Sequence, residues 1–183
     1  MAQATAGDTI HLAAGTYTGP GNQHVIISKA LTLAGAGADT ILTYDPLTEW
    51  TLGGRLGILE IRTSDVTVRD LTIRDVPIED GVPLWGVQIW KSGSTVANAT
   101  FDTVHFLNNA GRGIELHNDT TIVDLVVRHS LFEDNAAHGI RSASTARIDG
   151  FTIPDTIFRN TGQSPSPQSA ADTRHLSVRR STG

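Results

Sequence analysis

The chain has 183 residues and no cysteine, so one domain with a real hydrophobic core is expected, and disulfide bonds and thiolate metal sites are excluded. The formal net charge is −5 at pH 7 and no basic stripe runs through the body of the chain, which argues against nucleic acid as the main partner. No apolar run approaches the roughly 18 residues of a membrane span, and the first residues lack the basic and apolar regions of a signal peptide.

The first half of the chain consists of short apolar runs separated by turn residues. The runs are GDTIHLAAGTYTG from Gly7, KALTLAGAGADTIL from Lys29 and GILEIRTSDVTVRDLTIRD from Gly57, with WGVQIWKSG after the insertion PIEDGVPL. β-Branched and aromatic residues alternate with polar ones, and no sustained 3.6-residue spacing is present. The pattern predicts short strands and turns, and it argues against helical repeats.

The second half repeats itself with a period of 26 residues. Phe106, Phe132 and Phe158 are equivalent, and Gly113-Ile114 is equivalent to Gly139-Ile140. Further columns are formed by Val96, Ile122 and Ile148, by Ala99, Leu125 and Phe151, and by Phe101, Val127 and Ile153. A period of this length indicates stacked units, and coils stacked at about 4.8 Å place like residues on like. We expect about five coils with an internal phenylalanine ladder.

The last segment, GQSPSPQSAADTRHLSVRRSTG, interrupts this pattern. Two prolines fall where donors for strand pairing would be needed, and the composition is that of a linker with a basic end. The sequence therefore predicts a stacked domain over residues 1–162 and a disordered or loosely packed tail over 163–183. One interpretation is a fragment of a longer stack, whose uncapped end would allow end-to-end association.

Several of these segments resemble right-handed parallel β-helix proteins of the pectate-lyase-like superfamily. The runs from Gly7 and Lys29 resemble its opening coils, VTVRDLTIRD and VVRHSLFEDN its second and third strands, and GVQIW and GIELHN its first strand. The resemblance covers residues 7–162 and implies an all-β, right-handed, single-stranded parallel β-helix located outside the cell or in the cell envelope. It is weak for the reaction, because the superfamily contains lyases, hydrolases, esterases, epimerases and non-catalytic surface proteins.

The first strand of each coil supplies the candidate site. Alternate side chains of a strand face outward, so with Leu59, Val87 and Ile114 inside, two polar columns lie outside. One column reads Glu60, Gln88, Glu115 and Arg141, and the other reads Arg62, Trp90, His117 and Ala143. In the family this face and its adjoining loops form the polysaccharide groove. We predict catalytic roles for His117, Arg141 and Glu115, and substrate binding by Glu60, Arg62, Gln88, Trp90, Arg112 and His138.

These residue types suit an acidic sugar. An indole can stack on a pyranose ring, an arginine can hold a uronate carboxylate through two hydrogen bonds, and His117 could act as the base of a lyase. Calcium would need several oxygen ligands at one point, whereas Glu60 and Glu115 lie two coils, near 10 Å, apart. No cofactor is therefore predicted. The same separation lies at the upper margin of an inverting-hydrolase pair, about 6.5–9.5 Å, which favours lyase or epimerase chemistry over hydrolysis.

Several of the candidate residues also have a purely structural interpretation. Glu115 and Arg141 could form only a surface ion pair, and Trp90 could pack beneath the 77–85 insertion. His129 falls at a tight turn, and Asn109 and Asn135 are expected to bond turn backbones. Two functions follow: a carbohydrate-active domain that binds, and if an enzyme cleaves or epimerises, an acidic polysaccharide, or a non-catalytic structural or adhesive segment of a surface or fibre protein.

Overall fold

The computed structural model describes residues 3–45, 57–79, 82–162 and 176–178, and its secondary structure is entirely β. The strands are β1 (Thr9–His11), β2 (Gly15–Tyr17), β3 (Val25–Ile27), β4 (Leu31–Ala34), β5 (Thr40–Thr43), β6 (Gly57–Ile61), β7 (Val66–Arg74), β8 (Ile78–Glu79), β9 (Val82–Pro83), β10 (Trp85–Ile89), β11 (Ser94–Ala97), β12 (Thr100–Leu107), β13 (Arg112–Leu116), β14 (Thr120–Arg128), β15 (Leu131–Glu133), β16 (His138–Ser142), β17 (Arg147–Ile153), β18 (Ile157–Arg159) and β19 (Leu176–Val178). In these ranges no helix is long and apolar enough to cross a lipid bilayer.

The strands stack as the coils of a parallel β-helix. One sheet has five strands in the order β16–β13–β10–β6–β3, one from each coil. The other has 12 strands, with β1–β4–β7–β12–β14–β17–β19 as its main path. The pairing is parallel throughout both sheets, and the antiparallel hairpin of β8 and β9 lies outside them. The all-β solenoid of about five coils predicted from the sequence is confirmed.

The interior is filled by columns of like side chains. Phe106, Phe132 and Phe158 are stacked with ring centroids 4.6 Å and 4.7 Å apart and planes within 8° of parallel. The phenylalanine ladder expected from the 26-residue period is confirmed. Gly113 and Gly139 face these rings so closely that a Cβ atom would lie 2.7 Å and 2.6 Å from a phenylalanine ring carbon. Glycine is therefore required at the start of these strands so that the ladder can pack against the backbone.

The turns between strands also repeat. At the second turn Asp70, Thr103, His129 and Asp155 all adopt a left-handed backbone conformation, with φ between 50° and 56°. Short polar side chains tolerate this conformation best because they can bond nearby backbone groups. His129 Nδ1 lies 2.9 Å from Asp102 Oδ1 on the adjacent coil. The structural interpretation of His129 as a turn residue is confirmed.

Two asparagines connect the coils at the third turn. Asn109 Nδ2 donates to Asn135 Oδ1 at 2.8 Å, and Asn135 Nδ2 donates to the Phe106 carbonyl at 2.9 Å. Both side chains are buried, with 1% and 0% exposure. Their predicted role in bonding the turn backbone is confirmed, and the ladder satisfies groups that would otherwise be costly to bury.

The tail is described only at β19, whose residues Leu176–Val178 pair with Phe151–Ile153 of β17. Residues 163–175 and 179–183 lie outside the described residues. The division into a domain over 1–162 and a loose tail over 163–183 stays a prediction.

The ladder gives a test of the packing. We expect Phe132→Ala to lower the free energy of unfolding by about 3–5 kcal/mol, because removing this ring ends its stacking with the rings on both sides and leaves a cavity. Phe158→Ala is the matched control, since that ring stacks on one phenylalanine and is partly exposed, so its loss should be smaller. Urea unfolding of both variants measures this, and equal losses would contradict the internal ladder.

Candidate functional site

The outer surface of β3, β6, β10, β13 and β16, here called the five-stranded face, carries the predicted site residues. Glu60 is opposite Gln88, Gln88 is opposite Glu115, and Glu115 is opposite Arg141. The second column contains Trp90 and His117. The backbone amide of Trp90 donates to the Ile61 carbonyl and that of His117 donates to the Ile89 carbonyl, so each residue is bonded to the preceding coil. A third holds Trp85, Arg112 and His138 at the strand starts, where Arg112 and His138 are direct partners.

The first of these columns is largely buried although its side chains face away from the core. Glu60, Gln88 and Glu115 are exposed by 0%, 1% and 2%. Strand alternation predicted that these side chains face outward, but it did not predict that they would be covered. Arg62 contacts Glu60 and Arg141 contacts Glu115, so longer cationic side chains cover the two carboxylates.

Glu60 is held by two partners. One carboxylate oxygen lies 2.7 Å from His24 Nε2, and the other accepts a hydrogen bond from Arg62 Nε. Burial acts to raise the pKa of Glu60, but the hydrogen bonds from His24 and Arg62 and their charges outweigh it, so the pKa lies below the ordinary value of 4.5. Glu60 is therefore ionised at neutral pH.

Glu115 lies between two arginines. Its Oε1 accepts a hydrogen bond from Arg141 at 2.7 Å, and its Oε2 is 3.3 Å from Arg112 Nε. Two guanidinium groups from neighbouring coils therefore contact this one carboxylate. The pair with Arg141 was interpreted from the sequence as a surface ion pair, but the Glu115 side chain is only 2% exposed. Low dielectric strengthens the attraction within such a cluster, but the cost of removing the carboxylate from water offsets much of this gain.

Aromatic rings connect the two carboxylate clusters. Arg62 lies 5.6 Å from the centroid of the Trp90 ring, and the ring centroids of Trp90 and His117 are 5.0 Å apart. His117 lies 6.1 Å from Trp85, over which Arg112 packs at 5.6 Å. Arg62 and His117 come from the coils on either side of Trp90, so both side chains lie against the indole that was predicted to bind sugar.

Two buried polar atoms of this face have no hydrogen-bond partner among the described residues. They are the donor Nε1 of Trp85 and the acceptor Oε1 of Gln88. Both side chains are 1% exposed. An unsatisfied buried polar group costs about 1–3 kcal/mol, so the pair is unusual in a face that serves structure alone.

The structure brings all nine predicted site residues to the five-stranded face. Their catalytic and binding roles stay predictions. Sequence reasoning missed His24 and Trp85. Trp85 could have been found by extending the column of Arg112 and His138 back by one coil, because the three occupy the same position at the strand start. His24 lies outside the repeated columns, so no sequence period points to it. Its backbone conformation is left-handed, with a φ of 49°.

No three His, Asp or Glu side chains within the described ranges converge as a metal site would need. The residues of this face that could approach an ion, Glu60 and Glu115, are each engaged by arginine. The expectation that the protein works without a cofactor stays a prediction.

Comparison with known proteins gives one structural likeness. No protein-family model matches the sequence, and no curated protein sequence does. Among solved structures, the catalytic domain of a GH87 alpha-1,3-glucanase in complex with tetrasaccharides is similar, with 19% sequence identity and a TM-score of 0.45. The match covers 84% of this chain and 34% of that chain, so this chain spans about a third of its length.

The lowered pKa of Glu60 makes stability depend on pH. A carboxyl whose pKa is depressed by folding contributes stability above its ordinary value of 4.5, and the contribution is lost as the pH falls through the folded pKa. We expect Glu60→Gln to reduce the free energy of unfolding by up to about 3 kcal/mol at pH 7, with the difference from the unmodified protein closing in acid.

Urea unfolding between pH 3 and pH 7 measures the difference. Glu133→Gln is the control, because Glu133 forms an ion pair 3.2 Å from a half-exposed Arg159 and should change stability by about 0–1 kcal/mol. A Glu60→Gln deficit that persists unchanged in acid would show that the charge of Glu60 is not what stabilises the site.

Proposed function

We propose that the protein binds an acidic polysaccharide along the five-stranded face. The observation that carries the proposal is that three partly exposed arginines, Arg62, Arg112 and Arg141, lie on one face beside a row of aromatic rings, in a chain whose net charge is −5. A local positive field on a negative protein attracts an anionic ligand to one place.

The cost of building this face supports a ligand. Outward positions of a solenoid could be filled with solvated polar residues, but here two glutamates and a glutamine are buried. Buried ion pairs seldom stabilise a fold more than apolar residues of the same size. Trp85 Nε1 and Gln88 Oε1, which are buried and lack a hydrogen-bond partner within the described part of the chain, destabilise it further. Departures of this kind are concentrated at functional sites.

The arginines are suited to contact the ligand. Their side chains are exposed by 40% at Arg62, 20% at Arg112 and 32% at Arg141, while the carboxylates beneath are buried. A guanidinium has five N–H donors, so one engaged with glutamate retains others for a uronate carboxylate or a sulfate. Because the glutamates already fix the guanidiniums, less side-chain entropy is lost when a ligand binds.

Catalysis is a separate matter from binding. A general acid needs a raised pKa, whereas the pKa of Glu60 is lowered by His24 and Arg62, so Glu60 does not suit the acid of a hydrolase. Lyase or epimerase action, with Arg141 and Glu115 around the sugar and His117 as the base, stays a prediction, as does a location outside the cell.

The second candidate is a non-catalytic structural or adhesive segment. The stacked phenylalanines and the asparagine ladder favour it, because they hold the coils together through contacts within the protein. The two functions differ in one property: only the carbohydrate-binding function predicts saturable binding of a soluble acidic glycan at the five-stranded face.

Binding tests the first proposal. We expect the protein to bind acidic polysaccharides in preference to neutral dextran, and Arg141→Gln to weaken binding about tenfold or more, because it removes a partly exposed guanidinium that can bond an acidic group. Isothermal titration calorimetry at low and physiological salt measures both effects.

Arg128→Gln is the matched control, since Arg128 pairs with Asp102 at 2.8 Å on the other sheet and should not affect binding. Equal affinity for neutral and acidic glycans, or equal weakening by both variants, would overturn the proposal and leave the structural function.

A further inference from the structure

We propose that His24 is a positioning residue of the glycan-binding face. It acts through Glu60, which holds Arg62 in the orientation that presents its guanidinium to an acidic group of the ligand. This inference rests on the proposed function and gives a role in that site to a residue of the neighbouring coil. It comes from a series of contacts that runs from His24 to Glu60, to Arg62 and to Trp90.

His24 lies directly before β3, at the edge of the five-stranded face. Because β3 pairs with β6 and places Ile26 opposite Glu60, the imidazole comes from the coil next to that of the carboxylate. Its Nε2 atom lies 2.7 Å from Glu60 Oε2, and the side chain is only 11% exposed. Glu60 is ionised at neutral pH, so its oxygens can only accept hydrogen bonds. Nε2 of His24 therefore carries a hydrogen and donates it to the carboxylate.

The carboxylate of Glu60 uses one oxygen for each partner. Oε2 is bonded to His24, and Oε1 accepts from Nε of Arg62. The terminal torsion of a glutamate is broad, so a single hydrogen bond leaves the plane of the carboxylate free to turn. The bond from His24 fixes that plane, and with it the direction in which Oε1 meets Arg62. The Glu60 side chain is buried, where low dielectric strengthens both bonds.

The outer end of Arg62 is left available to a ligand. The guanidinium is bonded through Nε and lies 5.6 Å from the centroid of the Trp90 ring. Within the part of the chain that the structure describes, its terminal nitrogens make no hydrogen bond, and the side chain is 40% exposed. The N–H groups of these nitrogens can bond both oxygens of a carboxylate or sulfate in parallel. Glu60 and Trp90 thus fix the guanidinium while its donors still face outward.

Charge and positioning predict opposite effects for Glu60. If charge alone mattered, the carboxylate would repel an acidic ligand, and its removal would strengthen binding. If Glu60 holds Arg62, its removal weakens binding, because the ligand must then order a mobile guanidinium. Loss of His24 should act in the same direction, since it frees the carboxylate that holds Arg62.

The test uses isothermal titration calorimetry of the full chain with galacturonate and chondroitin sulfate hexasaccharides. Asparagine tolerates the left-handed φ of 49° at position 24, but its amide nitrogen lies nearer the backbone than Nε2 of histidine. We expect His24→Asn to weaken binding of the tighter ligand about three- to tenfold, and Glu60→Gln to weaken it similarly, because one side chain must be ordered on binding. His24→Gln, whose amide nitrogen reaches one carbon farther, should restore most of the affinity.

His129→Asn is the matched control. His129 also has a left-handed φ, of 50°, and lies 2.9 Å from a carboxylate, that of Asp102, but on the other sheet. Its replacement should leave the affinity unchanged, and weakening equal to that of His24→Asn would overturn the inference.

A double variant separates positioning from a merely structural role. If His24 acts through Arg62, His24→Asn should weaken binding no further once Arg62→Gln is present. In the ligand-free protein, the Nε–H signal of Arg62 should become more mobile by NMR relaxation in His24→Asn, while that of Arg128 on the other sheet stays unchanged.

The outcomes distinguish this inference from the proposed function. If Arg62→Gln weakens binding but His24→Asn does not, or if the two effects multiply, His24 does not position Arg62 and the proposed function stands. Tighter binding by Glu60→Gln would likewise overturn positioning alone. If the unmodified protein binds neither acidic hexasaccharide, the proposed function fails and this inference fails with it.

Discussion

Parallel stacking in register is the constraint on which the rest of this molecule depends. Each coil pairs its backbone with the next at about 4.7 Å, so every side chain has equivalents directly above and below it. Inside, this places phenylalanine on phenylalanine. Outside, it forbids like charges on adjacent coils, since a repelling pair would meet at close range. The column Glu60, Gln88, Glu115 and Arg141 obeys this rule, because an amide separates the carboxylates and an arginine follows the second.

The two sheets carry their charged side chains in different ways. On the 12-stranded sheet, ion pairs such as Arg128 with Asp102 connect adjacent coils and leave both partners partly solvated. On the five-stranded face the carboxylates are fully covered, and the cations above them are held by hydrogen bonds on one side. A rigid backbone ladder fixes the spacing of these cations along the stack.

The sequence was sufficient for the fold because a 26-residue period records the stacking directly. Phe106, Phe132 and Phe158 could be aligned without coordinates, and so could the columns of the five-stranded face. Burial of Glu60 and Glu115 could not be predicted, because strand periodicity gives the direction of a side chain but not what lies over it. The contact of His24 with Glu60 was equally hidden, since it joins residues 36 positions apart outside the repeat. Trp85 was missed because the column of strand starts was not extended back to the coil that contains it.

The central claim is that an acidic glycan contacts the five-stranded face. Two-dimensional NMR of the indole and arginine N–H groups during titration with an acidic oligosaccharide tests it most directly. The account predicts saturable shifts of the Trp90, Arg62 and Arg141 signals, with those of Arg128 and Arg159 unchanged. Shifts confined to the arginines of the other sheet, or no saturable shift with any acidic glycan, would contradict it.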